Sequence, residues 1–510
     1  MKILNIVLQE FIPTRMRNGS WFALLAVGVW LALAGPAQAQ VTTSWTGGGG
    51  NTNWTNGGNW NAGVPADTTN PAAIASVGVF SVNMDLARSI YGVILSGTTL
   101  SGNSLTVGVG NLTASGATIS SALSLNSGAT LYSTGATGIS SAVSGSGGVT
   151  VQGGTLTLSA GNSYTGQTVI SGGTLALTGA GTLGNSGQIS NAGTLSFQGT
   201  QSNVSNNISG SGTVNFNQGA TTLTFSGAIS GTNNVTQQSG TTILSGANSY
   251  SGGTTITGGT LSVGNIGDGL NSNIGATGNT LTLNGGTLQY NNTGAAVTTT
   301  RLFAVGNGGG TIDASGAAAG GGALTFSNTG AIDVSGAAGA RTLTLTGANT
   351  GQNTLAPSLG DNAVGSATSL VKSGAGTWID TANNTFTGSI TVNAGQLTVT
   401  GTNTNVGATV TGGTLQVGNG GATGTIGSTG AVSIATGGLV QFNRNNTMTP
   451  SPTSSRTPLP DKTAASGRAA AAPRSSPGPT PTPAPPPSMP SAPCRSATAA
   501  RVRRSTAPAA

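Results

Sequence analysis

Residues 153–159 read GGTLTLS, and residues 172–178 read GGTLALT. In both, apolar residues alternate with Thr or with small residues, the pattern of a β-strand that buries one face. It returns as GNTLTLN (278–284) and ARTLTLT (340–346). Leu156, Leu175, Leu195 and Val214 each follow Gly-Thr, at spacings of 19, 20 and 19 residues. Ile243 to Leu261 and Leu397 to Leu415 each span 18. Clusters of Gly, Asn and Ser between these segments supply turns. Short strands at such a regular spacing, with no helix-length pattern between them, predict a stacked all-β solenoid.

A right-handed parallel β-helix fits best. Each coil would lay its strands about 4.8 Å above those of the coil before. At ~19 residues per coil, residues 40–449 would make roughly 21 coils. Leu and Val would stack inward as ladders, each contributing about 1.5–3 kcal/mol. That burial must supply the stability, because residues 40–449 hold no cysteine and only five basic and seven acidic residues. Low charge together with abundant Val, Ile and Thr favours β-structure over disorder.

The chain divides by composition. Of its 20 prolines, 15 lie between Pro450 and Pro508, as do eight of its 16 basic residues and one acid, Asp461. The tail therefore carries +8 − 1 = +7, whereas residues 1–449 carry eight basic and eight acidic groups. The high isoelectric point belongs to the tail, so the body has no electrostatic footprint for nucleic acid. At the other end, Lys2, Arg15 and Arg17 precede the apolar run WFALLAVGVWLALA (21–34) and a small-x-small site, Ala37-Gln38-Ala39. This reads as a signal peptide over residues 1–39 that delivers the chain to the export machinery, with Met16 as an alternative start. Its apolar run is too short to span a bilayer, and nothing later reads as a transmembrane anchor.

A longer unit overlies the strand repeat. NSYTGQTVISGGTL (162–175), NSYSGGTTITGGTL (248–261) and NTFTGSITVNAGQL (384–397) align without gaps. These segments resemble the passenger-associated transport repeat of autotransporters, also called the autotransporter-associated β-strand repeat. KSGAGTW (372–378) resembles the lead-in of that repeat, and GNGGGTID (306–313) a segment common in such passengers. SWTGGGGNTNWTNGGNWNAGVP (44–65) resembles the start of a mature passenger. The resemblance implies an exported passenger threaded through an outer-membrane barrel, with repeats that aid export and folding and with an adhesive or surface-structural role. It implies structural roles for Asn162, Tyr164 and Gly166, for Asn248, Tyr250 and Gly252, and for Asn384, Phe386 and Gly388. The aromatics would sit inward or cap a coil corner, and the glycines would make the turn.

Enzymatic chemistry has little to work with. There is no histidine, and the one cysteine, Cys494, lies in the tail. Histidine-dependent triads and His or Cys metal sites are thereby excluded, and no cofactor is expected. The acids Asp67, Asp85, Asp268, Asp313, Asp333, Asp361 and Asp380 read as isolated turn aspartates. Glycoside hydrolysis needs two carboxyls facing one groove. Asp313 and Asp333 are 20 residues apart, about one coil, which would stack them on one face near Arg301 and Arg341. That constellation is the basis of an alternative reading as a polysaccharide-degrading lyase or hydrolase. GNIGDGLN (264–271) is a single weak match to a calcium-binding turn. Trp45, Trp54 and Trp60 read as an N-terminal cap over residues 40–70, since solenoid ends must be covered. Their alternative is a sugar-stacking platform for a surface glycan or other host ligand.

The tail poses a separate question. Residues from about Pro450 onward are expected to be a +1 frameshifted reading of further repeats, in which Thr codons become Pro and Gly codons become Ala. A genuine proline-rich linker is the alternative. A shifted tail would be disordered, would lack the C-terminal barrel and would leave the product in the periplasm or secreted. The organisation expected is thus residues 1–39 signal, 40–70 cap, 71–449 β-helix and 450–510 tail.

Overall fold

The computed structural model describes residues 41–445, apart from 66–72, 79, 185–186, 270–271, 293, 295, 317–321, 335, 363–365 and 428. The signal read over residues 1–39 and the tail read from 450 onward lie outside the described residues. What is described is a parallel β-solenoid of about 17 turns. Its only helical element among these residues is a single 3-10 turn, Gly57–Asn59. No helix of the described residues is long and apolar enough to cross a membrane.

Each N-terminal coil contributes three short strands, one to each face. Leu123–Leu125, Thr130–Ser133 and Thr137–Ile139 make one coil; Val143–Gly145, Gly148–Val151 and Thr155–Leu158 make the next. They stack in register, Leu123 on Val143, Leu131 on Val149 and Ile139 on Leu158. The long strands Thr213–Phe225 and Asn234–Leu244 run round a corner and pair on both sides of it, at Thr213–Asn217 and Thr222–Phe225, with the register shifting between.

The alternating pattern becomes columns. Leu156, Leu175, Leu195 and Val214 are successive register partners, and all are fully buried. Two residues on, Leu158, Leu177, Phe197 and Phe216 form a parallel column. The Phe197 and Phe216 rings stack with centroids 5.4 Å apart. Period two sends every second side chain inward, and the coil repeat places like residues over like. The glycine before Thr-Leu turns the chain with positive φ, +60° at Gly154, +66° at Gly173 and +62° at Gly259. Only glycine enters that region without steric penalty.

The count of turns falls short of the 21 predicted because coil length is not constant. Leu156 to Leu175 takes 19 residues, but Leu261 to Leu288 takes 27 and Ile312 to Leu345 takes 33. The longer coils carry wider gaps between successive strands, as between Thr260–Val263 and Leu281–Leu283. The strand spacing is preserved because the backbone hydrogen bonds, not the sequence count, fix it.

Candidate functional site

The three 14-residue units occupy equivalent places, and their polar side chains hold coils together. The Asn162 Oδ1 accepts from the Val143 N–H of the preceding coil at 2.8 Å. Its Nδ2 donates to the Thr182 carbonyl of the following coil at 2.7 Å. Asn248 repeats the arrangement, accepting from Ile229 N–H at 2.8 Å and donating to Asn273 O at 2.6 Å. Asn384 accepts from Leu359 N–H at 2.7 Å and donates to Asn403 Oδ1 at 2.7 Å. The next backbone N–H in each unit, at Ser163, Ser249 and Thr385, donates to the carbonyl of that same Val143, Ile229 or Leu359. One aliphatic residue of the coil below is thus held at both its N–H and its C=O. All three asparagines are buried, where an unpaired amide would be strongly unfavourable.

The aromatic two places on is fully buried in each unit. The Tyr164 hydroxyl lies 2.8 Å from Thr168 Oγ1, and that of Tyr250 lies 2.7 Å from Thr254 Oγ1. Burial pushes both phenol groups above their ordinary range, against a smaller opposing effect of these hydrogen bonds. In the third unit Phe386 has no hydroxyl, and Ile390 stands where the others have Thr. The polar pair is lost as a pair, which leaves no buried group unsatisfied.

Gly166, Gly252 and Gly388 are not in the positive-φ region. A Cβ at these positions would overlap the backbone of Gly147, Asn233 and Thr368, respectively, in the coil below. Close approach between coils, not turn geometry, is what excludes a side chain there.

At the N-terminal end Trp45, Trp54 and Trp60 are 5%, 0% and 5% exposed. Trp60 packs edge-on to both partners, at 5.0 Å from Trp45 and 4.7 Å from Trp54. Its Nε1 donates to the Trp54 carbonyl at 2.9 Å, while Trp54 Nε1 is buried without a partner. Asn53 bridges to Asn83, and Trp54 N–H donates to Asn83 O at 2.9 Å, so the cluster is tied to the coil of Ser81–Met84. None of the three offers an open ring face for a sugar.

The paired-carboxyl arrangement is not formed. Asp313 lies in register between Gln289 and Thr346, because the coil that follows it runs to 33 residues. It accepts from Gln289 Nε2 at 3.0 Å and from Ser315 Oγ. Asp333 instead stands beside Ala304 at an isolated bridge. Asp268, in the calcium-like turn, accepts from Thr300 N–H at 2.9 Å and from Thr299 Oγ1 at 3.0 Å. Burial opposes its ionisation, but these hydrogen bonds outweigh it and hold its carboxyl below the usual range.

Three basic side chains of the body, Arg301, Arg341 and Lys372, brace loops. Arg301 and Arg341 are each 2% exposed. Arg301 donates to Asn279 Oδ1 and to Gly275 O, the latter at 3.2 Å. Arg341 donates to Asn307 Oδ1 at 2.7 Å and Gly339 O at 3.2 Å. Lys372 Nζ binds the carbonyls of Ser373, Gly374 and Ala394, the last at 3.1 Å. Burial pulls the Lys372 ammonium down to about 8. Nothing in their residue type signalled this work; only their rarity set them apart.

Among the described residues, a cleft of about 410 Å³ is lined by residues 277–281, 300–304, Asn328, Ala331 and Asp333, and another of about 420 Å³ lies beside Asn162, Thr182, Asn203 and Asn206.

The repeat geometry coincides with a known family signature. The passenger-associated-transport-repeat model matches residues 152–177, 235–263 and 370–399, which enclose the three units. The chain carries passenger-associated-transport repeats. It is also similar to the Adhesin BmaC autotransporter of Brucella suis biovar 1 (strain 1330), with 40% identity over 184 residues. That match covers 35% of this chain and 5% of the relative, so the chain spans a small part of that protein's length. No solved structure matches the chain significantly.

Proposed function

We propose that this chain is an exported, non-enzymatic passenger whose solenoid serves adhesion or surface structure, its transport repeats aiding export and folding. The observation that carries the reading is the likeness over 184 residues to an autotransporter adhesin, in a chain that also holds three transport repeats. The site geometry agrees with it in kind. Each repeat spends its polar side chains on joining one coil to the next, which suits a segment that seeds coil stacking as the chain emerges. The Trp45–Trp54–Trp60 cluster then acts as a buried cap. Asp313 and Asp333, held in different columns, give no support to hydrolysis or lyase chemistry.

The test is display and attachment. Antibodies raised against residues 41–445 should reach the protein on intact cells or in the culture medium, and deletion of the gene should reduce attachment to host cells or matrix. Retention of the chain in the cytoplasm overturns the proposal, and unchanged attachment by the deletion strain overturns its adhesive form and leaves the surface-structural one.

A further inference from the structure

We infer that the solenoid withholds itself from proteases that cleave after Lys or Arg, and that the Arg301–Leu302 peptide bond is a latent cleavage site closed by burial of the Arg301 guanidinium. The inference goes beyond the adhesive reading and does not rest on it. A protease of trypsin-like specificity draws the basic side chain of its substrate into an acidic pocket. It acts where the backbone is exposed and free to leave its neighbours. A folded chain escapes it by denying either the side chain or the backbone.

The basic residues between 89 and 444 are Arg301, Arg341, Lys372 and Arg444. The first three are 2%, 2% and 0% exposed. Lys and Arg are among the residues least often found fully buried. Outward positions of the strands, where such side chains ordinarily sit, hold uncharged polar residues instead. One outer column reads Thr222, Thr241, Thr260, Thr287, Thr311 and Thr344 in successive coils.

Two of the three buried cations are also guarded by the ladder. Lys372 closes the strand Thr368–Lys372 and lies in register between Leu345 and Val392. Arg341 opens the strand Arg341–Thr346, pairs with Thr368, and donates its N–H to Ala367 O at 3.1 Å. Lifting either backbone means opening a coil. Arg301 is different. It lies between Val297–Thr299 and Ala304–Val305, outside any strand. Thr300 and Leu302 on either side of it are exposed. Only the side chain is withheld, reaching back to Asn279 Oδ1 and, at 3.2 Å, to Gly275 O. Cleavage there requires the guanidinium to be withdrawn, so its rate follows the population of the withdrawn state.

The experiment is limited digestion of the purified full chain by trypsin under native conditions, with fragments identified by mass spectrometry. A fragment that keeps residues 89–444 uncut should persist, whereas the urea-denatured chain should be cut after Arg301, Arg341 and Lys372. Asn279→Ala should speed cleavage after Arg301 about ten- to a hundredfold, through the lost hydrogen bond to a charged group. Ala338 lies in an exposed segment, and Ala338→Lys should be cut at that position, which separates burial of the cations from general rigidity of the solenoid. Circular dichroism establishes that each variant is folded. If Asn279→Ala is not, the wild type and Ala338→Lys still decide. Wild-type cleavage after Arg301, Arg341 or Lys372 as fast as the cut introduced by Ala338→Lys overturns the inference. So does resistance of Ala338→Lys, or a folded Asn279→Ala that is cut after Arg301 no faster than the wild type.

Discussion

Asn384 Nδ2 donates to Asp380 Oδ2 at 2.7 Å, inside the solenoid rather than on its surface. Asp380 is 1% exposed and stacks in register between Leu355 and Val399. The other two repeats have Leu158 and Leu244 at the same place, four residues before the repeat asparagine. A carboxyl therefore occupies a rung of an aliphatic ladder, held by the Ala382 N–H and the Asn384 amide alone.

This carboxyl should make stability fall as pH rises. Burial pushes it up to about 7 from 3.8, against the opposing hydrogen bonds from Ala382 and Asn384. The folded state then holds a proton that the unfolded state releases. Its stabilising effect is complete below 3.8 and is lost as pH rises through about 7. A shift of this size corresponds to something on the order of 4 kcal/mol. Lys372 titrates above this window and does not obscure it. Urea midpoints of the wild type should decline across it, and those of Asp380→Asn should stay level. Equal slopes for the two proteins would show that Asp380 is not the group responsible.

Asn248→Ala should weaken the solenoid by about 2–4 kcal/mol, because it leaves the Ile229 N–H and the Asn273 carbonyl without their partner. The readout is the urea midpoint followed by circular dichroism. A loss below about 0.5 kcal/mol, typical of a surface change, would mean that the asparagine does not staple the coils.

The hydroxyls of Tyr250 and Thr254 form a closed pair at 2.7 Å. Tyr250→Phe and Thr254→Val should each destabilise by about 1 kcal/mol or more, while the double variant recovers much of the loss. Phe386 with Ile390 is the natural counterpart of that double variant. Simple additivity in the double-mutant cycle would contradict the pairing.

Gly252→Ala should disrupt folding, since its Cβ would overlap the Asn233 backbone. Gly138→Ala, with no atom within 4 Å of the added Cβ, is the matched control and should unfold like the wild type. The comparison is of thermal midpoints, and equal tolerance of both would refute the close-approach argument.

Within the tryptophan cluster the two buried indole N–H groups differ. Trp60 Nε1 is bonded to the Trp54 carbonyl, and Trp54 Nε1 has no partner. Trp60→Phe should therefore lower the midpoint more than Trp54→Phe. Trp→Ala at all three positions should remove cooperative unfolding if the cluster caps the solenoid; intact folding with lost glycan binding would favour the platform instead.

The sequence by itself determined the strand type, the solenoid and the inward columns. Alternation of period two and a repeat of 18–20 residues leave little else to build, and Leu156, Leu175 and Leu195 stack as their spacing requires. The transport repeat was also legible, because its asparagine, aromatic and glycine recur without gaps. Tertiary structure alone decided what those residues do. Asparagine in a turn-rich chain looks like a turn former, and its bonding to the coils above and below appears only when residues about 20 apart are stacked. Loop length was equally hidden. Spacing of 20 residues suggested that Asp313 and Asp333 share a face, but the ladder is set by hydrogen bonds, so the 33-residue coil beyond Ile312 carries Asp333 into a different column. Asp380 shows the same limit from within. Its neighbours in sequence resemble those of a turn aspartate, and only the register with Leu355 and Val399 places its carboxyl in the core, where desolvation governs its proton.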